Sequence, residues 1–245
     1  MAQLQTVDKS KKAVAVTNAF AKKTETGIDQ TDILIPKLLL MQGLSKLVTA
    51  EKAQMGDTIN SVTNKVVASR KDEVSFIPLA HTKFWVRYKY EGNNPKFSGI
   101  EAFTPANSKR PWEETVDGVK YRNDACLNFF VFLESDLDNP MALPYALSFR
   151  RTGYNTGKKL VTHFAQCDMA GLAPFAGVLT LSAQKVQNDA GTWYVHDVTP
   201  TKDTDPKYAE KLTMWSDFLA RNTVKVDDSD IEAEAVGGVA ETKQF

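Results

Sequence analysis

The sequence of 245 residues has little of what disulfide-bonded, secreted or membrane proteins depend on. It contains two cysteines, Cys126 and Cys167, which cannot form a disulfide framework, so we expect a reducing cytoplasm. No run of about 18 apolar residues is present, so we expect no membrane-spanning helix. The first 26 residues lack the apolar centre of a signal peptide, so we expect no export.

The sequence also lacks recognisable enzyme motifs. It has no glycine-rich phosphate loop, no nucleophile elbow and no zinc-finger spacing. His163 and Cys167 are four residues apart on a predicted helix, but two ligands do not make a metal site. His196 and Asp197 are neighbours on a predicted strand and therefore face opposite sides. We predict no catalytic residue, no metal and no cofactor.

Charge is unevenly distributed along the chain. The 30 basic and 30 acidic residues cancel overall, but residues 227–245 hold six acids and one base. The rest of the chain therefore has a net charge of +5. This asymmetry predicts either a polyanion-binding body with a competing or partner-recruiting tail, or a mildly basic domain with a solubilising tail. The predicted partner-binding residues of the tail are Asp227, Asp228, Asp230, Glu232, Glu234 and Phe245.

Three regions are predicted along the chain. Residues 1–30 carry several lysines and few large apolar side chains, which predicts a flexible basic arm. Residues 31–222 form the expected folded domain, and residues 223–245 the acidic, disordered tail. We expect the arm to be a mobile end or a segment that touches phosphates.

The folded region is predicted to be mainly β, of the α+β class. Aromatic and β-branched runs predict strands over Val74–Pro78, Phe84–Tyr90, Leu127–Leu133 and Tyr145–Arg151. A helix over Lys158–Met169 and a hairpin of Phe175–Val186 with Thr192–Val198 follow. This order predicts a five-stranded OB-like barrel with a helix between strands 3 and 4; a different β-rich α+β fold is the alternative.

Two further helices are predicted at the ends of this domain. One begins near Pro36, with Leu39, Leu40, Leu44 and Leu47 near one face. The other covers Pro206–Asn222 and has an apolar stripe. The stripe consists of Tyr208, Leu212, Trp215 and Leu219. We expect it to pack on the domain, with a dimer contact as the alternative, so a homo-oligomer stays open.

Aromatic residues interleaved with bases are the main functional signal. On the strand Phe84–Tyr90, Trp85, Arg87 and Lys89 share one face, on which a base could stack while the cations hold phosphates. The alternative is that Trp85 is covered and the cations are merely solvated.

A second basic segment covers residues 148–159. It contains four cations, no acid and a tyrosine, Tyr154, between two glycines. Cations at the start of the helix oppose its dipole, and a bound polyanion would relieve that cost. The residues predicted to bind nucleic acid are Trp85, Arg87, Lys89, Arg110, Trp112, Arg122, Arg150, Arg151, Tyr154, Lys158 and Lys159.

The acidic tail ending in Phe245 resembles that of bacteriophage single-stranded-DNA-binding proteins. The stretches Ile35–Leu38 and Gly56–Asn60 are similar to those of small phage-encoded proteins. The resemblance implies an OB fold, DNA as ligand, and a tail that contacts replication proteins or competes for the groove. Gly237, Gly238 and Lys243 depart from the pattern because they dilute the tail's acidity.

We therefore predict a non-catalytic protein of the host cytoplasm that binds and protects single-stranded DNA during phage replication or recombination. The main alternative is a phage interaction protein that binds a host or viral polymerase, or another protein target, without catalysis. A nuclease whose carboxylates gather only in space, and a virion structural protein, are the remaining alternatives.

Overall fold

The computed structural model describes residues 34–189, 191–221 and 225–226, and strands dominate them. The strands are β1 (Leu34–Ile35), β2 (Leu38–Leu40), β3 (Thr58–Asn60), β4 (Val66–Ala68), β5 (Val74–Glu91), β6 (Asn94–Ala102), β7 (Glu113–Val116), β8 (Val119–Leu133), β9 (Tyr145–Arg150), β10 (Gly177–Asn188), β11 (Gly191–Asp203) and β12 (Lys225–Val226). The α-helices are α1 (Lys46–Thr49), α2 (Tyr154–Met169) and α3 (Ala209–Arg221). The prediction of a mainly β fold is confirmed.

The predicted helix from Pro36 is wrong. The segment forms β1 and β2 instead, and only the short α1 follows. Leu39 pairs with Ile59 of β3, and Ile35 and Leu38 are buried. The leucines of this segment fitted helical spacing, but pairing with β3 and burial against the rest of the fold override that local preference.

The two long strands β5 and β8 organise the main sheet. They pair antiparallel from Phe76 opposite Leu133 to Lys89 opposite Tyr121. The two strands predicted over 74–78 and 84–90 are therefore one continuous strand, with an irregularity between Pro78 and Ala80. At the end near Phe76 the strand order is β11-β10-β5-β8-β9.

The opposite ends of β5 and β8 form what we call the outer arm, residues 84–126. There β6 pairs with β5 and β7 pairs with β8, which gives the order β6-β5-β8-β7. The predicted turn after Tyr90 is confirmed as the connection between β5 and β6. The arm carries six of the eleven residues predicted to bind nucleic acid.

The two longer helices cover opposite faces of the main sheet. Leu160 of α2 packs with Phe129 and Phe149, while Leu212 of α3 packs with Phe132. The predicted packing of the C-terminal helix is confirmed. Helix α2 lies so close to the sheet that a Cβ at Gly157 would sit 2.9 Å from the Cβ of Phe149.

The described strands do not close into a barrel. No pairing joins β9 to β11 within the described residues. The segment around β2 lies between them: the backbone N–H of Ala146 donates to the carbonyl of Pro36 (2.8 Å). The Gln42 side chain donates to the carbonyl of Tyr194 (2.9 Å) and accepts from its N–H (3.0 Å). We call this junction the seam; it leaves the five-stranded barrel unconfirmed.

The stretch Gly56–Asn60 has structural contacts that account for its residues. Gly56 has a φ of +89°, and a Cβ there would lie 2.7 Å from the Tyr194 ring. The Asp57 carboxylate accepts from the backbone N–H groups of Gln54 and Arg70. The Thr58 hydroxyl lies 3.0 Å from Nε2 of His196, whose burial lowers its pKa to about 4. This stretch fixes the small sheet β2-β3-β4 against β11.

Candidate nucleic-acid interface

Trp85 does not form the exposed stacking platform that the sequence predicted. Only 6% of the residue is accessible. Its ring stacks on Phe103 at 6.0 Å between centroids, and its Nε1 donates to Oδ1 of Asn107 (3.3 Å). The loop that follows β6 therefore covers this indole, a long-range contact that the strand's own pattern does not reveal.

Arg87 and Arg110 lie on the same face of the arm as Trp85, and both are engaged with carboxylates. Arg87 donates to Oε1 of Glu101 and to Oε1 of Glu114, each at 2.8 Å. Arg110 donates to Oε2 of Glu101 (2.6 Å). We call these four residues the paired face, because two guanidiniums meet two carboxylates. They are poor candidates for phosphate contacts.

The pKa of Glu101 reflects this pairing. Burial raises that pKa, but hydrogen bonds from Arg110 and Arg87 outweigh burial and hold it below its ordinary value of 4.5. Glu101 therefore stays ionised near neutral pH and keeps both guanidiniums bound.

The opposite face of the arm gathers three arginines around one tyrosine. Arg150 Nη1 donates to the hydroxyl of buried Tyr88 (2.7 Å). The guanidinium carbons of Arg122 and Arg151 lie 4.3 and 5.5 Å from the centre of the Tyr88 ring. We call Arg122, Arg150 and Arg151 the arginine cluster.

One buried carboxylate lies against the arginine cluster. Oδ2 of Asp124 accepts from Nε of Arg151 (2.5 Å), and Oδ1 lies 3.4 Å from Nε of Arg122. A second ion pair on this face joins Glu113 to Lys120 (2.8 Å). That lysine, followed by the Tyr90 hydroxyl, lowers the pKa of Glu113, and the charge of Arg122 contributes to the shift. Among the described residues, Asp124 therefore pairs with two of the three arginines of the cluster.

Trp112 extends this cluster toward solvent. Its ring lies 5.4 Å from the guanidinium carbon of Arg122, and 39% of the residue is accessible. Arg122 thus lies within cation–π distance of both Trp112 and Tyr88. Trp112 is thus open to solvent, whereas Arg122 itself is buried, with 8% of the residue accessible.

Arg151 adopts a backbone conformation that is uncommon for an arginine. Its φ is +50°, in the left-handed region, at the point where β9 ends and the turn 151–153 leads into α2. Such conformations cost of order 1–3 kcal/mol and often occur at functional sites.

The remaining predicted residues lie beside these two groups. Helix α2 begins at Tyr154, so Tyr154 is half-buried in a helix rather than in a loop, and Lys158 lies in the second turn. The prediction that these lysines oppose a helix terminus is therefore wrong. Lys158 is exposed and lies 5.4 Å from the Tyr154 ring centre, whereas Lys159 pairs with Asp197. Lys89 is exposed on the outer arm.

Comparison with known families settles part of the identity. Residues 7–224 match the family described as Pam3 phage gp34-like protein. The chain belongs to this gp34-like family. The predicted bacteriophage origin is thereby confirmed at the level of the family, which carries no statement about DNA. No curated protein and no solved structure matches the chain.

Two residues of this gp34-like chain were missed as parts of the site. Neither Tyr88, which alternation places on the face opposite Trp85, nor Asp124 is among the residues predicted to bind nucleic acid. Alternation offered a signal for Asp124, because it lies two residues from Arg122 on β8 and so shares its face. The contact of Arg150 on β9 with Tyr88 joins residues that are distant in sequence, so the pattern of neither strand predicts it.

Some predictions lie outside the described residues. These are the basic arm of residues 1–30 and the tail residues Asp227, Asp228, Asp230, Glu232, Glu234 and Phe245. Within the part of the chain that is described, no helix has the length and apolar character needed to cross a membrane.

Proposed function

We propose that this gp34-like protein binds single-stranded DNA without catalysis, through the arginine cluster and Trp112. The observation that carries the proposal is the convergence of three guanidiniums on Tyr88 beside the exposed ring of Trp112. Guanidiniums gathered in this way suit a phosphate backbone, because arginine binds phosphate oxygens through paired, charge-assisted hydrogen bonds. The net charge of +5 outside the acidic tail favours such a ligand.

Single-stranded DNA fits this surface better than a small anion does. The exposed indole of Trp112 beside Arg122 can stack on an unpaired base, which contributes about 1–3 kcal/mol per base without sequence preference. Bases in a duplex are not available for such stacking. Together with the arginines, the indole suits a chain of alternating phosphates and open bases.

We also propose that the main sheet is a variant of the OB plan. The strand order β11-β10-β5-β8-β9, with α2 between β9 and β10, follows that topology, and OB folds are partly open barrels. OB domains bind oligonucleotides on their second and third strands and on the loop between the first and second. Arg122 on β8, Arg150 on β9 and the inserted loop with Trp112 correspond to those places.

The proposal is tested by fluorescence anisotropy with a labelled oligo-dT of about 20 nucleotides and a duplex of equal length. We expect the single strand to bind more tightly. With three phosphates neutralised, log affinity should fall with log salt at a slope of roughly −2. A salt-independent affinity, or no saturable binding to the single strand, would refute the proposal.

The tail is proposed to compete with DNA for the same surface or to recruit replication proteins. Deleting residues 227–245 removes five net negative charges, so DNA binding should tighten at low salt and change little at high salt. Equal affinities of the full-length and shortened chains would refute competition and leave DNA binding standing. A protein partner retained without DNA by the shortened chain would favour the alternative of an interaction protein.

A further inference from the structure

Asp124 occupies an unusual position for an acid at a surface that is proposed to bind DNA. Its side chain is fully buried between Arg122 of its own strand and Arg151 of the turn after β9. Oδ2 accepts from Arg151, while among the described residues Oδ1 has no hydrogen-bond partner and lies 3.4 Å from Nε of Arg122, which has none there either.

We infer that Asp124 is a positioning residue for phosphate binding by the arginine cluster, an inference that rests on the proposed function. A contact at Nε fixes the plane of the Arg151 guanidinium and uses one of its five N–H donors. Arg151 itself has an uncommon backbone conformation, with a φ of +50°. Arginines fixed before DNA arrives lose less conformational freedom on binding.

The inference and simple electrostatics predict opposite changes in DNA affinity for the same substitution at Asp124. Asp124→Asn removes a negative charge next to the DNA, so charge alone predicts tighter binding. If Asp124 positions Arg151, the variant loses a prearranged phosphate contact, and binding weakens. Asp197→Asn is the matched control, because it makes the same change in charge at a carboxylate that pairs with Lys159 outside the cluster.

The experiment measures the affinity of the full chain for oligo-dT over a series of salt concentrations, for wild type and both variants. We expect Asp124→Asn to bind about tenfold more weakly, the effect of one charged hydrogen bond. Its salt slope should be shallower by roughly 0.7, which corresponds to one lost phosphate contact. Asp197→Asn should bind as tightly as wild type or more tightly. A purely structural role would lower thermal stability without moving the slope.

Several results would overturn the inference. Equal or tighter binding by Asp124→Asn with an unchanged slope would overturn it while the proposed function stands. Absence of wild-type binding to oligo-dT would overturn both. Should Asp124→Asn fail to fold, Asp124→Glu gives a second readout, since it keeps the charge but displaces the carboxylate from Arg151. Weaker binding by Asp124→Glu supports the inference, and wild-type affinity contradicts it.

Discussion

The two faces of the outer arm carry similar side chains and differ in the acids that accompany them. On the paired face, Arg87 and Arg110 meet Glu101 and Glu114. On the other face, Arg122 and Arg151 of the arginine cluster meet Asp124, and Arg150 donates to Tyr88. The same sequence pattern of interleaved aromatic and basic residues therefore occurs in a structural ion-pair network and in a candidate binding surface. What separates the two is the set of carboxylates supplied by neighbouring strands.

The comparison predicts its largest effect when arginines are removed in pairs. Arg150→Gln with Arg151→Gln should weaken oligo-dT binding about 100-fold, since two charged hydrogen bonds to phosphate are lost. Arg87→Gln with Arg110→Gln, measured by the same anisotropy titration, should change affinity less than about threefold. Comparable losses in the two double variants would show that the faces do not differ in function.

Removing aromatic rings extends the comparison to base stacking. Trp112→Ala should weaken binding about tenfold, within the range for one stacked base. Trp85→Phe keeps an aromatic ring against Phe103 and should leave affinity unchanged. Quenching of tryptophan fluorescence by DNA should persist in Trp85→Phe and decline in Trp112→Phe. Quenching that depends on Trp85 instead would contradict the assignment.

The paired face should contribute to the stability of the fold, although it should contribute little to DNA affinity. Arg87→Ala should lower the free energy of unfolding by about 1–2 kcal/mol, because it leaves Glu101 and Glu114 with Arg110 as their remaining arginine partner. Urea unfolding of Arg87→Ala and wild type measures this difference. Lys89→Ala is the control on the same strand and face, and we expect it to unfold like wild type. A destabilised Lys89→Ala would locate the effect in the strand rather than in the ion pairs.

Acid pH should remove the contribution of ionised Glu101 to the free energy of unfolding, which is the smallest of the predicted effects. Because the pKa of Glu101 is lowered on folding, its stabilising effect is present above its ordinary value of 4.5 and is lost as the pH falls through the folded value. Glu101→Gln should therefore be less stable than wild type at pH 7, by less than about 1 kcal/mol, and should approach it as the pH falls through the lowered pKa of Glu101. Thermal melts at several pH values measure the difference; a gap that persists in acid would exclude ionisation of Glu101 as its cause.

The sequence predicted local elements better than it predicted exposure. The β10–β11 hairpin and helix α3 follow from turn residues and apolar spacing, which depend on neighbours in the chain. The strand with Trp85 and Arg87 was predicted with the correct faces, yet its indole is covered by Phe103 and its arginine is held by Glu114. Those partners come from other strands and loops, so the periodicity of one strand could not reveal them.

The same limit applies to the segment after Pro36. Its leucines fit a helix as well as a strand, and the choice depends on partners far along the chain, such as Ala146. The residues that define the arginine cluster come from β8, β9 and the turn that follows. Sequence reasoning found its arginines and Trp112, but not the ring and the carboxylate that bring them together.

The seam has a consequence for how the polypeptide reaches its native state. Gln42 and Tyr194 are 152 positions apart, and both of their hydrogen bonds need the last hairpin to be in place. Joining such distant points costs considerable loop entropy, so this contact should form late in folding. During synthesis the apolar segment around β2 therefore lacks these contacts until nearly the whole chain has left the ribosome.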